Sequence, residues 1–346
     1  MSSEHEQFLS QFAEQRSALR EAEKDEILLI ENKRRFVMFP IKYHEIWAAY
    51  KKLEATFWPA EEVDLTKDVD DFKKLNEDQK DFFARYLAAA TTGEANLVNH
   101  LIERFSAELQ NPEGKSFYGF QIMAQNVYDE AHSMMIDTFF DGAEKVKYLN
   151  EFPTSKEVTA KLNFRKEWIE SPESLYGERL VALAAKEALF LAGARAVIFW
   201  FISQGLFHGV THGISNITRD RGFYSDFNCL LFAHLKNKPN AKVVEKIIVD
   251  ATEIEKNYMA DLLKVEQSGL KSAQVNQYVE FLADSLLASF GNEKHYNAAN
   301  PFEFMEGKTT IGKTNFFEKT VSDYTKANES TTKAASHEGF AFNESF

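Results

Sequence analysis

Four stretches of this chain advance their apolar residues by steps of three and four, and each sets polar side chains into the apolar stripe. The first runs Phe83, Leu87, Ala90, Glu94, Leu97, Leu101, Phe105, and the second Gln125, Tyr128, His132, Met135, Phe139. The third runs Leu180, Leu183, Glu187, Leu191, Ala194, Ile198, Phe201, and the fourth Ile214, Ile217, Arg221, Tyr224, Asn228, Leu231, Leu235. That spacing keeps one face of a helix turned to a core. With only 15 Gly and 7 Pro in 346 residues, little in the chain stops such helices, so the fold is predicted to be all-α. A polar group facing a core is commonplace on one helix. On four helices together it has the form of a site built inside a bundle, because buried polar and charged groups are costly unless they meet partners.

The organisation is that of one globular unit. Residues 1–30 are charged and read as an exposed arm, frayed or helical, and residues 31–320 carry no Gly/Ser/Pro linker and no repeat at solenoid periods. Residues 321–346, rich in Ser, Thr, Asn and Lys, read as a flexible tail. Helix breaks are expected at 111–116 (NPEGKS), 170–174 (ESPES) and 236–242 (KNKPNAK). A formal charge of −13 disfavours nucleic acid as a partner. No window approaches the ~18 consecutive apolar residues of a membrane span. A single cysteine, Cys229, permits no internal disulfide, and the N-terminal stretch lacks the apolar core of a signal peptide. A cytoplasmic protein is expected, with the nucleus as a second compartment.

In ferritin-like di-iron bundles, two helices give one carboxylate each and two others give a Glu-x-x-His pair each. The spacing in this chain fits that scheme and the residue types do not. Glu94 and Glu187 stand as the single carboxylates, but the two i, i+3 pairs are Gln125 with Tyr128 and Arg221 with Tyr224. Two carboxylates and one guanidinium leave a net charge of −1 against the four positive charges of two divalent ions. Arginine does not deprotonate at usable pH, so a permanent cation occupies a ligand position.

Longer blocks carry a resemblance: NKRRFVMFPIKYHEIW (32–47), FWPAEEVDLTKD (57–68), KSFYGFQI (115–122), RDRGFYSDFNCLLF (219–232), NPFEFM (300–305) and GKTNFFEK (312–319). Through them, over residues 25–320, the chain resembles the small subunit of class I ribonucleotide reductase. The resemblance implies a ferritin-like helical bundle with extra helices. It also implies that the six metal-ligand positions fall on Glu94, Gln125, Tyr128, Glu187, Arg221 and Tyr224, and the radical-tyrosine position on His132. Trp58 matches the tryptophan of the electron-transfer route, Asp220 its hydrogen-bonded partner, with residue 128 as their usual bridge, and Tyr324 the tail tyrosine of the route between subunits. Phe340 and Phe346 match the aromatic anchors by which the family's tail docks on the large catalytic subunit.

Within the family the chain is similar to a fungal auxiliary small subunit that carries no cofactor. That subunit pairs as a heterodimer with a metal-binding, di-iron small subunit and helps it fold, load iron and form its radical for deoxyribonucleotide synthesis. Two alternatives stay open at this point: a metal-free small subunit with its radical on another tyrosine, or a helical scaffold no longer tied to the reductase. Arg221 is expected to address Glu94 and Glu187 together, in place of the lost ions, or else to carry its charge to solvent along its aliphatic stem.

Overall fold

The computed structural model of the chain describes residues 3–92, 97–151, 155–263 and 270–308. Glu94, Tyr324, Phe340, Phe346 and the whole of 321–346 lie outside the described residues. Fourteen helices are described: α1 Ser3–Ser10, α2 Ala13–Ala22, α3 His44–Glu54, α4 Asp68–Lys73, α5 Glu77–Thr92, α6 Leu97–His100, α7 Pro112–Phe139, α8 Gly142–Glu151, α9 Lys156–Arg165, α10 Tyr176–Leu189, α11 Ala192–Ser203, α12 His208–His234, α13 Ala241–Leu262 and α14 Ser272–Ser289. No strand is described, so the all-α expectation holds.

The centre of the bundle is α10, in which every residue from Tyr176 to Leu189 is buried. It lies against α12 and α13, while α7 lies against α3 and α5, and α13 against α9 and α14. The four predicted stripes face inward wherever they are described. Phe83, Leu87, Ala90, Leu97, Leu101 and Phe105 are buried, as are Gln125, Tyr128, His132 and Met135 and the corresponding residues of α10 to α12.

Two local expectations need correction. The third stripe is divided between two helices: α10 ends at Leu189, Phe190 is extended, and Leu191 adopts a left-handed conformation at φ 62° before α11 begins. No glycine or proline announces this break; tertiary packing holds a leucine in a backbone region that non-glycine residues rarely enter. The expected break at 111–116 is likewise mostly helix, since α7 starts at Pro112. Proline suits the first helical position, where its missing N–H would have no partner in any case.

The N-terminal arm takes the helical form of its two readings, and it is fastened. Arg16 donates from Nε and Nη2 to the two carboxylate oxygens of Glu178 at 2.8 and 2.9 Å, and Arg20 donates to the Glu173 carbonyl at 2.6 Å. Glu178 also accepts the Leu175 N–H at 2.9 Å, so one carboxylate both starts α10 and anchors the arm. At the start of α12 the Asp68 carboxylate, from α4, accepts the N–H groups of Gly209 and Val210 at 3.1 and 2.6 Å. A Cβ on Gly209 would stand 1.9 Å from the Asp64 carbonyl oxygen, so only glycine allows this approach. The entry point of α12, the helix that carries Asp220, Arg221 and Tyr224, is thereby fixed.

Candidate functional site

Three helices bring the described positions together: α7 supplies Gln125, Tyr128 and His132, α10 supplies Glu187, and α12 supplies Asp220, Arg221 and Tyr224. All seven side chains are buried. Tyr128, Asp220 and Tyr224 form one cluster, and Glu187 with Arg221 forms an adjoining one.

The first cluster is a hydrogen-bonded line. Trp58 Nε1 donates to Asp220 Oδ2 at 3.1 Å, and the Tyr128 hydroxyl donates to the same oxygen at 2.9 Å. Tyr128 and Tyr224 are hydrogen-bonded hydroxyl to hydroxyl, and because the Tyr128 proton is directed to Asp220, Tyr224 is the donor of that pair. The indole of Trp58 lies nearly parallel to the Tyr128 ring, 6.0 Å between centroids and 19° between planes. Trp58 thus meets Asp220 directly, as expected, and Tyr128, at the position of the replaced bridging histidine, is a second donor to the same carboxylate.

The other oxygen of Asp220 accepts from Arg219 Nε at 2.9 Å, and Arg219 is held in turn by the Thr56 carbonyl at 2.9 Å and by Asn216 at 3.0 Å. Burial raises the Asp220 carboxyl above its ordinary value, against the pull of the Arg219 charge and the Trp58 and Tyr128 donors. Burial raises both tyrosines far above the usual phenol value, so both hydroxyls stay protonated at neutral pH.

The second cluster is built on ion pairs. Arg221 Nη1 donates to Glu187 Oε2 at 2.7 Å, with both side chains buried. The alternative of an arginine carried to solvent is thus excluded, since Arg221 is only 4% exposed. The Glu94 half of the expected bridge lies outside the described residues. Glu187 Oε1 faces Lys186 Nζ and Gln121 Nε2, each at 3.4 Å. Gln125, the residue expected at a ligand position, turns along its own helix and donates to Asp129 at 3.0 Å, so the glutamine that reaches Glu187 is the one a turn earlier.

His132 sits to one side of both clusters, its ring edge-on to Tyr86 at 6.1 Å. Tyr86 is fully buried and its hydroxyl is pushed up to about 12 by desolvation, with Arg195 and Arg221 acting in the opposite sense.

Sequence reasoning missed Gln121, Lys186 and Arg195. Gln121 stands four residues before Gln125, so the helical period offered a signal for it. Lys186 falls beside the stripe and arrives by the length of its stem. Arg195 is turned inward by the unforeseen break at Phe190 and Leu191.

The described donors do not fit a pair of divalent ions. Two of the six positions are protonated phenols already committed to hydrogen bonds, one is a guanidinium, and one is an amide engaged with Asp129. Both oxygens of the carboxylate Glu187 face donors of this chain. Among the described residues no group of three His, Cys, Asp or Glu side chains could hold a metal ion.

Comparison with known proteins places this geometry. The family model for "Ribonucleotide reductase, small chain" matches residues 35–301. Small chain 2 of ribonucleoside-diphosphate reductase from Saccharomyces cerevisiae is 55% identical over 343 residues, 99% of each chain. Small chain 1 of the same organism is 47% identical over 345 residues, which is 99% of this chain and 86% of the relative. The solved Rnr4 homodimer from Saccharomyces cerevisiae superposes with a TM-score of 0.84 at 56% identity, over 93% of this chain and 99% of the other. A family model matching residues 35–301 and relatives 47–55% identical over 99% of this chain share its helical architecture: the chain belongs to the ribonucleotide reductase small chain family.

Proposed function

We propose that this chain is an auxiliary, non-catalytic small subunit of ribonucleoside-diphosphate reductase, one that holds no di-iron centre and supports a metal-binding partner. The observation that carries the reading is the buried Arg221–Glu187 pair at 2.7 Å. A permanent cation balances a carboxylate at the place where family members present ligands, so the core closes without metal. A small subunit that is folded without ions can act as a preformed template for one that must be loaded. The solved yeast relative is a homodimer, which supports pairing through the family's helical interface, with a metal-binding small subunit in place of the second copy. The C-terminal tail, through Phe340 and Phe346, would dock the pair on the large catalytic subunit, with Tyr324 on the route between subunits and the complex in the cytoplasm and nucleus. Co-expression with a metal-binding small subunit tests the proposal by native mass and by metal content per chain. A mixed dimer with the iron confined to the partner is expected. About two metals in this chain, or equal iron and radical in a partner prepared without it, would overturn the reading.

One observation favours a second reading, a metal-free subunit that carries a radical itself. The line Trp58–Asp220–Tyr128–Tyr224 keeps two phenols in hydrogen-bond contact beside an indole, an arrangement in which a phenolic proton has somewhere to go. Electron paramagnetic resonance of the purified chain separates the two. The first reading expects no persistent organic radical in the absence of partner.

A further inference from the structure

Residues 32–43, between the N-terminal arm and α3, hold four cations, Lys33, Arg34, Arg35 and Lys42, and no acidic side chain. Among the described residues none of the four stands within ion-pair distance of a carboxylate, whereas Arg16, Arg85, Arg165, Arg179, Arg219 and Arg221 are each paired with one. The chain carries a formal charge of −13, so carboxylates are plentiful and the shortage is local. Ile30, Phe36, Val37 and Phe39 stand at the surface in the same stretch, with Phe36 and Phe39 at 77% and 69% exposure. Apolar side chains this exposed, grouped together and rimmed by polar ones, mark an interaction site.

The stretch forms one wall of a groove of about 580 Å³, and residues 110–113, at the entry to α7, form another. Val37, Phe39, Ile41 and Tyr43 line it with apolar surface, and Arg34 and Lys42 line it with charge. Glu113 borders it too, but its carboxylate is buried and accepts the Lys42 and Tyr43 N–H groups at 2.7 and 3.1 Å, so it holds the wall in place. Glu31, the other acidic residue of the lining, is exposed and pairs with none of the four cations. On α7 the Lys115 ammonium is lowered below its ordinary value by burial and next by the Arg35 charge, so cation stands beside cation here. Among the described residues nothing bonds the backbone N–H or C=O of Met38, Phe39 or Ile41, which leaves an open backbone edge beside the groove.

We propose that this groove binds an extended, acidic segment of a partner protein. Its carboxylates would meet Arg34 and Lys42, its apolar side chains Val37 and Phe39, and its backbone the open edge at residues 38–41. An extended chain suits the place because its side chains alternate, one set to the apolar lining and one to the charges, while its own N–H and C=O groups need partners along an edge. A second copy of this chain fits poorly, since a two-fold contact sets the patch against itself, cation against cation. An anionic lipid surface would use the charges and the rings but neither the concave lining nor the unpaired backbone.

The test uses the full chain and, as probe, a fluorescein-labelled peptide of alternating glutamate and phenylalanine, followed by fluorescence anisotropy. The chain should bind it, and Arg34→Glu combined with Lys42→Glu should weaken binding about tenfold. Phe39→Ser should weaken it too, and so should added salt in the wild type. All three positions are exposed, so these variants should keep the wild-type urea midpoint. No binding, equal binding of a peptide with lysine in place of glutamate, or unchanged affinity in the charge-reversed variant overturns the proposal. A chain that ignores the peptide and binds vesicles of phosphatidylserine in phosphatidylcholine overturns it in favour of a membrane surface. Disulfide-linked pairs of chains that form only with Phe36→Cys overturn it in favour of a second copy. Should Phe39→Ser not fold, the charge-reversed variant and the salt series decide without it.

Discussion

The two halves of the candidate site are held together by different physical means. On the side of Asp220 the cluster is held by shape and hydrogen bonding: two phenols and an indole close a line of donors ending on one carboxylate. On the side of Glu187 the cluster is held by charge, with Arg221 and Lys186 set against a carboxylate. A phenol adds no charge, so in the first half only Asp220 has to be balanced, and Arg219 does that. The second half carries fixed charges in a low-dielectric interior, where each must be balanced locally. The halves should therefore answer mutation on different scales.

The largest effect is expected in the charged half. Arg221→Ala leaves Glu187 buried with its strongest partner removed and should cost about 3–5 kcal/mol in urea unfolding. Adding Glu187→Gln and Glu94→Gln should restore most of that loss, because the effect is an unpaired charge and not lost packing. A single mutant that loses less than about 1 kcal/mol, or one that the added substitutions do not rescue, would break the comparison at its charged end.

Next in size is Asp220→Asn. Its carboxylate accepts from Trp58, Tyr128 and Arg219, and the amide keeps the volume while losing the charge and one acceptor, for an expected loss of about 1.5–3 kcal/mol near neutral pH. The same variant has a pH signature. The folded-state pKa of Asp220 is raised, so between the ordinary carboxyl value of about 3.9 and that higher value the folded state binds the proton more tightly than the unfolded chain does. Across that window the Asp220 contribution falls as pH rises, and outside it is flat. The stability difference between wild type and Asp220→Asn should thus narrow on going up through the window. A gap that widens there would mean that Arg219 and the donors outweigh burial.

Much of this contrast was legible in the sequence because it rests on helical period. Tyr128, Glu187, Arg221 and Tyr224 lie inward, as their spacing on three helices predicted, and Trp58 meets Asp220. What the sequence withheld lies where backbone or side-chain reach is set by tertiary packing. Leu191 breaks the third stripe without glycine or proline, and Arg195 is buried on the helix that follows. Gln125 and Gln121 occupy the same face of one helix, and only the position of Asp129 decides that the first turns away and the second reaches Glu187. Period places a side chain on a face. It does not choose among the partners found there.

The smallest effect should come from one of the two phenols, and their order sharpens the reading of the Asp220 side. Tyr128 both donates to Asp220 and accepts from Tyr224, whereas Tyr224 ends the line as a donor only. Tyr128→Phe breaks two hydrogen bonds, one to an ionised group, and leaves the Tyr224 hydroxyl buried without its acceptor, for about 2–3 kcal/mol. Tyr224→Phe removes one bond between neutral groups. It leaves Tyr128 its Asp220 acceptor, so about 0.5–1.5 kcal/mol is expected. The double mutant should lose less than the sum of the singles, since removing Tyr128 already forfeits the bond that Tyr224 supplies. Equal losses for the two single mutants, or full additivity, would show that the phenols act only as packing. The hydrogen-bonded line would then end at the Trp58–Asp220 pair.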